Sequence, residues 1–214
     1  WDPILKYNLD QTAPSLLSML DGFSNTSDPL NIFTGNKGLK VTTTHSIDFN
    51  AAYRVMKKNF VTIILNPNIQ IVQNAQAYGS IYDPETGIRH YRPENVNGNY
   101  RLSFNGSYSL TNPQTQKWDL EISTITSYMH GVDLISTQGN PERSVVNTIW
   151  NTESVKYNRK VGKHTIGAKA TFGSSHSSSE RDNFCSFTLY DINYGLTGAF
   201  KLPWGLRLST DLTM

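Results

Sequence analysis

The chain has 214 residues, 37% of them apolar and 17% charged, with a formal net charge of +2. Its mean hydropathy is −0.43, and no run approaches the roughly 20 consecutive apolar residues of a spanning helix, which excludes helical membrane proteins. The positive charge is too small and too scattered to point to a nucleic-acid partner. The single cysteine, Cys185, closes no intramolecular disulfide and builds no thiolate zinc site; it is expected to be buried or lipid-facing. The chain begins at Trp1 with no initiator Met or signal peptide and stops at Met214 inside an alternating stretch. It therefore reads as a piece of a longer protein.

Helical periodicity is confined to residues 15–20, a turn or two after Pro14. From Lys40 onward the pattern has a period of two, the mark of strands with one apolar and one polar face. Ile47, Phe49, Tyr53 and Val55 share one face of the first such strand, and Asp48, Asn50 and Arg54 the other. Tyr100, Leu102, Phe104, Tyr108 and Leu110 oppose Arg101 and Asn105. Trp118, Leu120, Ile122 and Tyr128 oppose Asp119 and Glu121, and Ile166, Ala168, Ala170 and Phe172 oppose Lys169. Tyr190, Ile192, Tyr194 and Phe200 oppose Asp191 and Asn193, and Leu206, Leu208 and Leu212 oppose Arg207 and Asp211. Residues 60–77 and 144–157 mix both kinds on both faces.

About eight strands follow from this reading. Short turns at 57–59, 111–117, 158–163 and 202–205 alternate with long polar connections at 79–99, 131–143 and 174–183, as in an up-and-down sheet that crosses a membrane. Facing residues of an antiparallel pair lie on one side of the sheet. The turns thus predict Val55 opposite Val61 and Tyr53 opposite Ile63, Leu110 opposite Trp118 and Tyr108 opposite Leu120, and Phe200 opposite Leu206 and Gly198 opposite Leu208. A turn at 158–164 sets Thr152 opposite Ala170 and Glu153 opposite Lys169.

Trp118 and Tyr128 are ten residues apart, as are Tyr190 and Phe200. At about 3.3 Å per residue and a tilt near 45°, that is a rise of roughly 23 Å, close to the ~25 Å apolar band of a transmembrane barrel. Tyr53, Tyr108, Trp118, Phe200 and Trp204 form the aromatic girdle at the short turns, with Tyr128 and Tyr190 at the opposite rim. The same alternation turned inward describes the core of a soluble β-sandwich.

Catalytic and metal chemistry find no support. His45, His90, His130, His164 and His176 have no partner at i+2 or i+4. The serine run around His176 reads as a loop tip without a nucleophile elbow, and Asp83-Pro-Glu-Thr-Gly87 is a turn former. The expectation is a protein that is not an enzyme and uses no cofactor. Function concentrates instead on the polar strand face. Asp48, Arg54, Arg101, Asp119, Glu121, Lys169, Asp191, Arg207 and Asp211 line a watery lumen or contact a plug that fills it. Tyr78, Tyr82, Tyr91 and Arg92 lie in an extracellular loop suited to stacking on a sugar or a partner's side chains.

The order of the motifs carries a resemblance. Gly35-Asn36 followed by Leu39-Lys40 resembles the Gly-Asn-x-x-Leu-Lys segment that enters a strand in TonB-dependent receptor barrels, with Lys37 and Val41-Thr42 departing from that pattern. Tyr82-Asp-Pro-Glu-Thr-Gly87, Arg92-Pro-Glu-Asn-Val-Asn-Gly-Asn99 and Leu202-Pro-Trp-Gly-Leu206 resemble the outer-membrane β-barrel family of Bacteroidota. The resemblance runs from about Ala13 to Met214. It implies an all-β, antiparallel, up-and-down transmembrane barrel, of which this chain is a part, in the outer membrane of a Gram-negative cell. It further implies TonB-linked nutrient uptake or a receptor role for an unknown ligand. The implied partners are outer-membrane lipid and a TonB-type energising complex reached through missing segments. Residues 1–39 are then a strand end and extracellular loop leading into the barrel, and residues 40–214 its strands. The rival is a soluble, secreted β-sandwich that binds glycan or protein.

Overall fold

A computed structural model describes residues 1–20, 24–25, 28–57, 59–112, 117–136, 141–181 and 184–214. In chain order these form β1 (Asp2–Thr12), a short helix α1 (Leu16–Met19), β2 (Ser24–Asn25), β3 (Asn31–Thr34), β4 (Thr42–Met56) and β5 (Phe60–Gln73). There follow β6 (Ala75–Tyr82), β7 (Arg89–Val96), β8 (Asn99–Thr111), β9 (Trp118–Ser136), β10 (Pro141–Val161), β11 (His164–Ser179), β12 (Phe187–Lys201) and β13 (Arg207–Thr213). Nine of these strands pair side by side in the order β1-β4-β5-β8-β9-β10-β11-β12-β13, antiparallel throughout. The other four form a second sheet, β2-β3-β7-β6, in which only β3 and β7 run parallel.

The all-β, antiparallel architecture agrees with the sequence, but the expectation of about eight strands needs correction. Residues 2–12 form a strand paired along its described length with β4, and the expected loop at 79–99 is largely a hairpin of the second sheet. Among the described residues no pairing joins β1 to β13, so the large sheet is an open wall and not a closed barrel.

Register obeys the turns more than the residues beside them. Val55 faces Val61 and Tyr53 faces Ile63, as expected. Leu110, however, faces Leu120 and Tyr108 faces Ile122, and Phe200 faces Leu208 with Gly198 opposite Thr210. Both hairpins are displaced by two residues. At the second the cause is visible: Pro203–Gly205 is a 3-10 turn with Trp204 and Gly205 at φ 61° and 77°, and the Leu202 N–H donates to Leu206 C=O at 2.9 Å. An even displacement leaves every side chain on its own face. Between β10 and β11 the displacement is odd. Val155 faces Ala170 and Glu153 faces Phe172, because the strands run on to a two-residue turn, Gly162-Lys163. Gly162 takes φ 60° there, as the first central position of a type II′ hairpin requires.

The expected long connections are also mostly strand. β9 continues to Ser136, β10 begins at Pro141, and β11 carries the serine run to Ser179. Lys58 and residues 113–116, 137–140 and 182–183, on which parts of the expected turns and loops fall, lie outside the described residues. Successive ladders place Val55, one residue from the end of β4, in register with Leu196, five residues from the end of β12. The short turns therefore climb across the sheet, as tilted barrel strands demand.

The second sheet is tied on by amides. Asn74, at φ 53°, bends the chain out of β5; its N–H donates to Asn97 Oδ1 at 2.7 Å and its C=O accepts from Asn95 Nδ2 at 2.8 Å. Asn95 Oδ1 accepts from the Lys40 N–H at 2.7 Å, Asn36 Nδ2 donates to Pro93 C=O at 2.9 Å, and Asn99 Oδ1 accepts from the Val132 N–H at 2.8 Å. Gly35 passes so close to the Leu20 backbone that no Cβ fits. Ala77, Val96 and Val132 form the small core beneath, flanked by Ala75, Leu134 and Val145, where β6 and β7 sit on the overhanging ends of β9 and β10.

Two measurements test this account. With Cys185 replaced by Ser, oxidation should crosslink Tyr108→Cys with Ile122→Cys, because facing Cα atoms lie within disulfide reach. Tyr108→Cys with Leu120→Cys should stay reduced; the opposite pattern would restore the shorter turn. Ala77→Leu should overpack the small core at a cost of about 1–3 kcal/mol, lowering amide protection in β6 and β7 while leaving β4 and β5 unchanged.

Candidate functional site

Followed across the sheet, the ladders decide which side chains share a face. Asp48, Arg54, Arg101, Asp119, Glu121, Lys169, Asp191, Arg207 and Asp211 all fall on one side. Several of them sit in separate hydrogen-bonded groups and not in a single cluster. Asp48 accepts from Asn68 Nδ2 at 2.7 Å and from Asn8 Nδ2 at 3.1 Å, and Ser103 Oγ donates to Asn68 Oδ1 at 3.4 Å. Asn158 Nδ2 donates to Asp119 at 2.7 Å, and Lys169 Nζ bridges both Asp211 oxygens at 2.6 and 2.8 Å. The Lys169–Asp211 pair is solvent-exposed, so salt screens it.

Around the first group the polar face holds a hollow of about 350 Å³, within the size range of small-molecule sites. Asp48, Asn66, Asn68, Arg101, Asn105 and Trp150 line it, and the buried Ser127 hydroxyl beside them has no hydrogen-bond partner among the described residues. Alternation places Ser127 on the polar face, but Asn66, Asn68 and Trp150 are not legible in the sequence. All three lie in the segments with mixed faces, and the odd β10–β11 displacement hid which side Trp150 occupies. Counting the two-residue period back from Gly162 would have found it.

The opposite face carries Tyr53, Tyr108, Trp118, Tyr128, Tyr190 and Phe200, with Trp204 in the last turn 94% exposed. Trp1, not among the expected girdle residues, meets Tyr53 in a tilted ring contact with centroids 4.9 Å apart. Large apolar side chains such as Phe104, Ile122, Phe172, Ile192 and Leu212 stand exposed across this face. A polar seam crosses it. Thr124 Oγ1 donates to Glu153 Oε1 at 2.7 Å, Asn151 Nδ2 to the same oxygen at 3.3 Å, and Thr126 Oγ1 to Asn151 Oδ1 at 2.6 Å. Mutual hydrogen bonding lowers the cost of holding these groups on an apolar surface.

The loop candidates separate. Tyr78, Tyr82 and Tyr91 share the outer face of the second sheet with Phe33 and Arg89, whereas Arg92 lies on the inner face with Ala77. Phe33 and Tyr78 are 6.1 Å apart, and the Arg89 guanidinium lies 5.8 Å over the Tyr82 ring. The hairpin tip is an Asx turn: Asp83 Oδ2 accepts from Thr86 Oγ1 at 2.6 Å and Oδ1 from the Glu85 N–H at 2.9 Å. Cys185 is exposed, so of its two expected placements the buried one is corrected. Among the described residues no three His, Cys, Asp or Glu side chains converge as a metal site would require.

A family model described as "Outer membrane protein beta-barrel family" matches residues 11–202. The chain belongs to that family. No curated protein and no solved structure matches it. Membership locates this β-barrel protein in the outer membrane. It favours the barrel over the soluble-sandwich alternative, and among the described residues the large apolar side chains of the big sheet stand exposed. In an outer-membrane barrel the apolar and polar faces of a strand serve two solvents, and the sorting of all nine charged residues onto one of them is the geometry such a wall needs.

The Asx turn supplies a pH test. Hydrogen bonds from Thr86 and then from the Glu85 N–H hold the Asp83 carboxyl below its ordinary pKa of 3.8. A depressed pKa lends stability above the unfolded value that is lost as pH falls through the folded one. The Glu85 and Thr86 amide resonances should therefore hold steady from neutral pH down to the ordinary carboxylate range and shift only below it. Titration above that range would contradict the turn geometry.

Proposed function

We propose that the chain forms part of the wall of a TonB-dependent-receptor-like barrel, acting in nutrient uptake or as a receptor. The polar face lines the passage and the apolar face meets outer-membrane lipid. One observation carries the reading: nine charged residues from six strands share the face that holds the hollow beside Arg101 and Trp150. The motif resemblance to barrels of Bacteroidota supports the TonB link, and a TonB-type energising complex is the partner that link implies. The role is binding and passage, not catalysis. Short turns mark the periplasmic end of such barrels, so the second sheet stands on the outside, with Tyr78, Tyr82 and Tyr91 turned away from the wall.

Spin labels at Leu120 and Ile122 should report lipid, and one at Glu121 should report water. Ile122→Arg should cost ~2–4 kcal/mol and Trp118→Arg about 0–1 kcal/mol, since charge is most expensive away from the interface; equal, large losses would argue for a buried soluble core. For uptake, cells lacking the gene should leave at least one solute in the medium that the parent strain depletes. Collapsing the proton-motive force in the parent should reproduce that deficit. Identical depletion by both strains would overturn the uptake reading.

A further inference from the structure

The apolar face has a groove near the short turns. It holds about 510 Å³ and runs between Tyr157, Ile166, Leu196, Phe200 and Leu212. It exists because two positions inside it are small: Ala168 beside Leu196, and Gly198 beside Ile166. At its end, on the same face, stands Arg159, exposed and in register with Trp118 of the girdle on one side and with Ile166 on the other. A guanidinium on an apolar face at the level of the aromatic girdle sits where headgroup phosphates lie.

Arg159 is not isolated. The hairpins bring Lys117, Lys160, Lys163, Lys201 and Arg207 to the same end of the sheet from three separate turns. Among the described residues none of these six cations is ion-paired, and the nearby Asp119 is engaged by Asn158. Lys201 faces Arg207 directly, a like-charge pair that destabilises a ladder without a counter-ion. Lys160 and Lys201 fall on the polar face, where with Lys163 and Asp119 they border a hollow of about 410 Å³ at the same end of the sheet, behind Arg159. The sequence hid this concentration because the cations are spread from residue 117 to residue 207.

We infer that this rim binds an anionic phospholipid of the periplasmic leaflet. Its headgroup phosphate lies against Arg159 within the positive potential of the lysine turns, and one acyl chain fills the groove over Ala168 and Gly198. Charge complementarity selects the occupant: an uncharged apolar segment would leave Arg159 uncompensated, and a free anion would leave the groove empty. The inference rests on the proposed orientation of the barrel but not on any uptake activity, so it stands or falls separately from that role.

The test is native mass spectrometry of the whole protein, folded in neutral detergent and offered equimolar phosphatidylglycerol and phosphatidylcholine. Phosphatidylglycerol adducts should predominate, and Arg159→Gln should lower them about fivefold, the effect of one basic residue near an anionic surface. Arg159→Lys should retain most of the binding. Ala168→Phe, which fills the groove and leaves the charges in place, should remove adducts of both lipids. Equal retention of the two lipids by the unaltered protein, or wild-type binding by both Arg159→Gln and Ala168→Phe, would overturn the inference. Displacement of the lipid by millimolar inorganic phosphate would do so as well, by showing a bare anion site.

Discussion

A chain that crosses hydrocarbon must find a partner within the protein for every backbone N–H and C=O, since no water is there to supply one. Strand-to-strand ladders are the means available to this sequence, and the rest of the structure depends on them. The large sheet is one layer thick. Its side chains do not pack into a core between two layers; the small core of Ala77, Val96 and Val132 lies off the wall, under the second sheet. What sorts Phe104 from Arg101, or Ile122 from Glu121, is the two-residue period of the pleat, fixed in place by the ladder.

The exterior sheet is held differently. Its attachment combines a few apolar side chains with amide side chains that satisfy the backbone where regular pairing stops. Asn74, Asn95, Asn97 and Asn99 share one junction, and Asn36 reaches it from a separate stretch of chain. The Gly-Asn and Asn-x-Asn-Gly-Asn stretches look like unrelated turn signals in the sequence. In the fold they are two halves of the same joint.

Alternation made the strands and their faces legible, because it is a local signal repeated many times. Register was legible where the connection was short, as between Val55 and Val61. The hairpin at Trp204 gives no such help: a 3-10 turn of the same few residues pairs different neighbours, and only backbone angles distinguish the two. Residues 144–157 resisted because Asn147, Asn151 and Glu153 stand on the otherwise apolar face, which erases the contrast that alternation relies on. The second sheet was invisible for another reason. It joins β3 to β7 across more than fifty residues, and no periodicity encodes which distant segments meet. The hollow at Trp150 and the basic rim share that difficulty, since both gather residues from several strands.

The hairpin displacements also bear on how such a wall tolerates changes in length. A two-residue change at a turn slides one strand along another and keeps every face intact. A one-residue change turns a whole strand over, setting its charges in lipid and its leucines in water. Selection on the large sheet should therefore act on parity more than on side-chain volume. Strand lengths drift in even steps, and an odd change survives only where a bulge or a rebuilt turn restores the count.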